Sequence, residues 1–199
     1  MKTKQLNETG RHSSIGLSFI NARIYTDGKF ANDKASYLIS ARRGMLDQTL
    51  KLIGEEENIP KYQDVLGKIE YKLNSKHSIG LHMLYAGDVT EVRDIAPEAH
   101  DIHDTKYGNL YSWLTLKSAY SEKLFSRTLV FGGQLTHERN GDAEKYEYSD
   151  KLNFKLKDER DFIFYGIKQD WNWNSTSWLN IKAGFDIRQL QSDYKYSLA

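Results

Sequence analysis

Between Glu98 and Asp104 the chain gathers five side chains that could hold a divalent cation: Glu98, His100, Asp101, His103 and Asp104. Imidazole and carboxylate are suitable donors for zinc or a related metal. The spacing matches no recurrent ligand pattern, and a polar connection accumulates such residues without binding anything. A solvated acidic loop is therefore the expectation here, and no metal site is assigned. Glu55, Glu56 and Glu57 form a second acidic run with the same reading. Arg42 and Arg43 form an adjacent basic pair. Alternation along a strand would send them to opposite faces, so they cannot jointly grip a phosphate. Arg42 shares the side of Ser40, where a carboxylate partner is expected. Trp171, Trp173 and Trp178 flank Asn174–Thr176. They suit an interfacial aromatic girdle, with a stacking platform for a ligand as the alternative. No nucleophile motif, phosphate-cradling glycine loop or paired-carboxylate arrangement appears, and catalysis is not expected. No cofactor is implied.

The elements that carry these residues are extended. The clearest stretch runs from Pro60 to Asp88. On its first half Val65, Gly67, Ile69, Tyr71 and Leu73 share one side, against Asp64, Lys68, Glu70 and Lys72. Asn74, Ser75 and Lys76 supply turn chemistry. On its second half Ile79, Leu81, Met83 and Tyr85 oppose Ser78, Gly80, His82 and Leu84. A period of two held on both sides of a turn predicts a hairpin.

The same pattern predicts eight strands. The first spans Ser14–Tyr25, followed by a turn at Thr26–Lys29 and a connection through Asn32–Lys34. The second is Ser36–Arg43. Leu46, Leu50 and Ile53 then stand at helical spacing and predict a short amphipathic turn. The hairpin supplies strands three and four. A long polar connection, Val89–Lys106, leads to Tyr107–Tyr120 and Leu124–Glu138. Another, Arg139–Lys157, leads to Arg160–Trp173 and Ser177–Gln191. On the sixth strand Leu129, Phe131, Gly133 and Leu135 form the more apolar side. On the last, Leu179, Ile181, Ala183, Phe185 and Ile187 alternate with Asn180, Lys182, Gly184, Asp186 and Arg188.

Strands near 10–15 residues exceed the five or six usual in globular domains. Three-residue turns at 74–76, 121–123 and 174–176 alternate with connections several times longer. Long strands, short turns at one end and long loops at the other characterise outer-membrane barrels, whose apolar side meets lipid. The charge balance, 28 basic against 27 acidic residues, gives no case for nucleic acid. There is no cysteine, so disulfides and thiolate metal sites are excluded. No apolar run reaches the length of a spanning helix.

Tyr37–Asp47, YLISARRGMLD, resembles the ISARR-x-YLD stretch in the barrels of TonB-dependent outer-membrane receptors, above all those of Bacteroidetes-like bacteria. Met45 stands where that stretch has an aromatic. Tyr62-x-Asp64-Val65-x-Gly67-Lys68-x-x-Tyr71, Leu73-Asn74-x-Lys76-His77 and Leu84–Asp88 follow in the order of the family. The resemblance covers about residues 13–90 and continues as pattern alone over 105–195. It implies an all-β transmembrane barrel of about 22 strands closed by a plug. Residues 1–199 would supply about a third of that wall, with 1–13 a polar lead-in, and would contain no plug. Without a terminal aromatic, the chain reads as an internal fragment. The implied partners are outer-membrane lipid, the rest of the barrel, the plug, the TonB complex and an imported ligand. That ligand could be a siderophore, a cobalamin-like cofactor, an oligosaccharide or a peptide. The implied location is the outer membrane of a Gram-negative bacterium. Two other readings stand beside it: a complete eight-stranded outer-membrane barrel with a structural or adhesive role, and a soluble β-barrel that binds a small molecule.

Overall fold

A computed structural model describes residues 10–54, 60–96, 99–147 and 150–199. Among them lie nine strands and one short helix. The strands are β1 (His12–Leu17), β2 (Asn21–Phe30), β3 (Ala35–Gly44), β4 (Lys61–Lys72), β5 (His77–Ala96), β6 (Ala99–Ala119), β7 (Leu124–Glu147), β8 (Asp150–Asn174) and β9 (Asn180–Leu198). All neighbours are antiparallel and follow chain order, so the sheet is a plain meander with β1 and β9 as its free edges. The sheet is not closed: β1 and β9 run in the same direction without pairing.

The expected hairpin is present, with Ile69 opposite Leu81 and Lys68 opposite His82. Helix α1 (Leu46–Leu52) sits where the helical spacing predicted it. Two features of the N-terminal third differ from the sequence reading. The first expected strand is two strands, broken at Ser18–Ile20, and this raises the count from eight to nine. There Ser18 Oγ accepts hydrogen bonds from the Asn21 and Ile20 amides at 3.0 and 3.3 Å. The expected turn at Thr26–Lys29 is strand interior, and the chain reverses instead at Ala31–Lys34. Ala31, Asn32 and Asp33 all adopt left-handed φ values of 54°, 53° and 62°, a conformation that Asn and Asp tolerate better than most residues.

The two long polar connections also differ. Val89–Lys106 and Arg139–Lys157 are mostly strand: β5 pairs with β6 out to Ala96–Ala99, and β7 with β8 out to Glu147–Asp150. β6 and β7 stay paired over this height as well, so four strands form one blade that rises above the rest of the sheet. Described strands therefore span 6 to 25 residues. The short turns lie together at the opposite end, each tied by a side chain. Asn74 Oδ1 accepts from the Lys76 and His77 amides, Ser121 Oγ from Lys123 and Leu124, and Thr176 Oγ1 from Leu179.

A one-layer sheet cannot bury its own apolar side chains. Among the described residues only Ala35 and Leu38 are buried apolar groups. Register places Ile39, Ile69, Leu81, Leu114, Ile167 and Ile187 on one common face. Most of that face is exposed, from 37% at Ile167 to 62% at Ile187. A soluble monomer rarely shows an apolar patch wider than a few hundred Å². This face therefore requires a cover. No described helix is long and apolar enough to cross a membrane, which says nothing about strands.

Strand β7 is the exception to the expected facing. Leu129, Phe131 and Leu135 lie with Lys168, Gly166 and Phe162 on the charged face, while Thr128 and Gln134 lie on the apolar one. The physical reason is cross-strand fit. Phe131 stands opposite Gly166, and Phe164 opposite Gly133, so each ring lies over a residue with no side chain. Outward polar groups satisfy one another: Thr128 Oγ1 donates to Gln169 Oε1 at 2.5 Å, and Gln134 Nε2 to Asp161 at 3.0 Å.

Candidate functional site

The face opposite the apolar one carries the chemistry, and strand alternation determines its membership. Its rows run across β4–β9 at right angles to the chain. Nearest the short turns stand Lys72, Ser78, Lys117, Arg127 and Asp170; the next row holds Glu70, Gly80, Thr115, Leu129, Lys168 and Asp186. Above them lie Lys68, His82, Trp113, Phe131 and Arg188, then Leu66, Leu84, Tyr111, Phe164 and Leu190. The face thus grades from cationic to aromatic with distance from the turns.

At its centre Glu70 accepts from two amines, Lys68 Nζ at 3.0 Å and Lys117 Nζ at 3.3 Å. Lys68 is only 6% exposed, and that carboxylate is its ion-pair partner. His82 stacks on Trp113 with centroids 4.9 Å apart and rings 7° from parallel. The His82 Nδ1 atom is buried without a hydrogen-bond partner. Phe164 then touches Tyr111, Phe131 and Phe162, with centroid separations of 5.7, 6.3 and 6.1 Å. The Arg188 guanidinium lies 5.5 Å from the Phe131 ring centre. We predict that Glu70→Gln costs about 1–3 kcal/mol, because it strands the Lys68 charge. Adding Lys68→Met should recover much of that loss, since an apolar replacement removes the orphan. Unfolding midpoints in urea would check both changes; an unaffected single variant would contradict the pairing.

Arg42 and Arg43 leave β3 on opposite faces. Arg42 pairs with Asp64 at 2.7 Å and lies over the Tyr62 ring, while Arg43 pairs with Asp47 on α1 at 2.9 Å. Trp171 and Trp173 stand on the apolar face at its short-turn border, 39% and 47% exposed, and Trp178 lies in the adjoining turn. Of the acidic histidine cluster, Glu98 lies outside the described residues, as do the side chains of His100 and Asp101. His103 and Asp104 are neighbours on a strand and so leave β6 on opposite faces. Among the described residues no three His, Cys, Asp or Glu side chains converge as metal ligands. Glu55–Glu57 also lie outside the described residues.

On the blade, Arg160 grips Asp158 with two hydrogen bonds of 2.9 and 2.6 Å. That fork, more than any other influence, holds the carboxyl below its ordinary pKa. A depressed carboxylate stabilises the fold above the unfolded-state pKa and loses that contribution as pH falls through the folded-state value. Amide protection at Asp158–Arg160 should therefore hold at neutral pH and fall under strong acid. Protection that rises on acidification would contradict the pair. Arg160→Gln should remove the dependence.

No known family model matches the chain, and no curated protein does.

Proposed function

We propose that this chain is part of the wall of an outer-membrane barrel of the TonB-dependent receptor type, importing a scarce ligand with energy delivered through TonB. One observation carries the membrane part of this reading: nine meandering strands share a single exposed apolar face, with no second layer among the described residues to bury it. Lipid covers such a face without any further protein. The end-to-end asymmetry supports the same reading, since compact turns lie at one end and a four-stranded blade rises at the other. Receptor type is supported by the motifs YLISARRGMLD and Tyr62–Tyr71. These fall on β3 into α1 and on β4, at the start of the face that carries Arg42–Asp64 and Lys68–Glu70.

In this reading the apolar face meets lipid and the charged, aromatic face lines the lumen. The blade stands outside the cell and helps select the ligand, which is a siderophore, a cobalamin-like cofactor, an oligosaccharide or a peptide. The free edges of β1 and β9 take further strands of the barrel, and the plug fills the lumen. A barrel of the nine strands alone would have to join β1 to β9 in parallel, with six residues against 19. The lengths are poorly matched, which disfavours a small self-closed barrel.

The reading frame on both sides of this segment in the source DNA provides the test. A secretory signal and a plug-sized domain upstream, with further hairpins downstream, are expected. A start and a stop immediately flanking the segment would overturn the receptor assignment.

A further inference from the structure

Beside the turn that joins β4 to β5 lies a recess of about 520 Å³. Lys72, Lys76, His77, Ser78 and Lys117 line it, together with the ring of Phe125, and no carboxylate is among its lining residues. Register explains how the cations gather. Lys72 stands opposite Ser78, Ser78 opposite Lys117, and Lys117 opposite Arg127, so one row across four strands carries three positive charges. Like charges directly opposed weaken a sheet.

The nearby counter-charge is already shared. Glu70 serves both Lys117 and Lys68, and Asp170 lies 3.9 Å from both Arg127 and Lys168. Among the described residues no carboxylate pairs with Lys72 or Lys76. On the same face the Ser78 hydroxyl stands between Lys72 and Lys117.

We infer that this recess binds a phosphate-type oxyanion, held by the Lys72, Lys76 and Lys117 amines with the Ser78 hydroxyl beside them. Lysine acts as a point-charge partner for phosphate, and a dianion answers the charge that the row leaves uncompensated. Two sources share that chemistry, a phospholipid headgroup and free phosphate. Free phosphate is favoured by position: Lys72, Ser78 and Lys117 stand on the charged face, whereas the interfacial aromatics Tyr120, Trp171 and Trp173 stand on the opposite one, where such rings meet headgroups. That preference, unlike the oxyanion site itself, rests on the membrane reading above.

The experiment uses the full chain in dodecyl maltoside, a detergent without phosphorus. Phosphorus-31 line broadening is recorded with inorganic phosphate in one arm and dihexanoyl phosphatidylglycerol in the other. Circular dichroism confirms equal strand content in each variant. Broadening in either arm is expected, with apparent affinity reduced about tenfold for each of Lys72→Gln and Lys76→Gln, the loss of one charged contact. Lys61→Gln, at the far end of β4, should bind as the parent does. Broadening by phosphate alone, or by both probes with phosphate tighter, supports a free-phosphate source. Broadening by lipid alone, or by both with lipid tighter, supports the site and overturns the free-phosphate source. No broadening in either arm, or undiminished binding by the Lys72→Gln, Lys76→Gln double variant, would overturn the site. The phosphate arm remains readable if the membrane reading fails.

Discussion

Ile187→Arg is expected to lower the stability of the chain folded into lipid vesicles by about 2–4 kcal/mol, the cost of a guanidinium near the bilayer midplane. Leu190→Arg, three residues along the same strand, should change it by about 0.5 kcal/mol or less, as surface changes do. The two leucine-sized side chains are exposed to nearly the same degree, 62% and 57%. They differ in facing: Ile187 lies opposite Ile167 on the apolar side, and Leu190 opposite Phe164 on the charged side. Any difference between the variants therefore reports what covers each face. A smaller contrast, about 1 kcal/mol or less, is expected between Ile181 or Ala183 and Asn180 or Lys182 nearer the turn, where the cost of a charge falls toward the interface. Refolding from urea into short-chain phosphatidylcholine vesicles, followed by tryptophan fluorescence, supplies the free energies. Equal tolerance on both faces would contradict the assignment of lipid to the apolar one.

Gly133→Ala is expected to destabilise by about 1–3 kcal/mol, the range for overpacking a fitted site. A Cβ there would stand 2.5 Å from Phe164 Cζ and 2.7 Å from the Leu110 carbonyl oxygen. The ring can swing away, but the carbonyl is backbone on the neighbouring strand and cannot move without opening the β6–β7 ladder. Gly166 is the reciprocal position, where a Cβ would meet Phe131 Cζ at 2.8 Å. Gly67→Ala supplies the control, because nothing lies within 4 Å of its added carbon. That change should be neutral or stabilise by up to about 1 kcal/mol through the unfolded chain. Urea midpoints for the two variants test the ring-over-glycine register. If both glycines tolerate alanine equally, that register does not hold β6, β7 and β8 together.

The parts of this fold that alternate cleanly could be read from the chain. The β4–β5 hairpin announces itself because Val65–Leu73 and Ile79–Tyr85 alternate on both sides of Asn74, with Leu66 and Leu84 the exceptions, and the Asn74 side chain then closes the turn. Helix α1 follows from Leu46, Leu50 and Ile53. The break at Ser18 was illegible because Leu17, Phe19 and Ile20 surround it with apolar residues, leaving a single serine as the signal. Asp27-Gly28 imitated a turn, but Gly28 is a strand glycine that lies beneath the Tyr37 ring, 3.1 Å from where its Cβ would sit. Most of the blade is illegible because Val89, Val92 and Ile95 stand three apart and Ile102 stands alone, so no period of two appears; only Leu152, Phe154 and Leu156 alternate, too short a run to outweigh the polar residues around it.

The charged face was legible only in part. Alternation alone separates Arg42 from Arg43 and points Arg42 toward a carboxylate. It cannot bring Lys117 to Glu70 or Trp113 to His82, because those meetings depend on the β5–β6 register, fixed by pairing over the whole height of the blade. The facing of β7 was hidden for a related reason. Its apolar residues follow the inner rings of Phe162 and Phe164, and that preference is visible only once β8 is alongside.

Tryptophan quenching in bilayers separates the two faces of the sheet. Two variants, each retaining a single tryptophan, would be folded into vesicles containing brominated lipid. One keeps Trp171 on the apolar face; the other keeps Trp113 on the charged face. Strong quenching of Trp171 by the brominated acyl chains is expected, with little effect on Trp113. Equal quenching of the two, or none of Trp171, would contradict a sheet that turns one face to lipid and the other to a lumen.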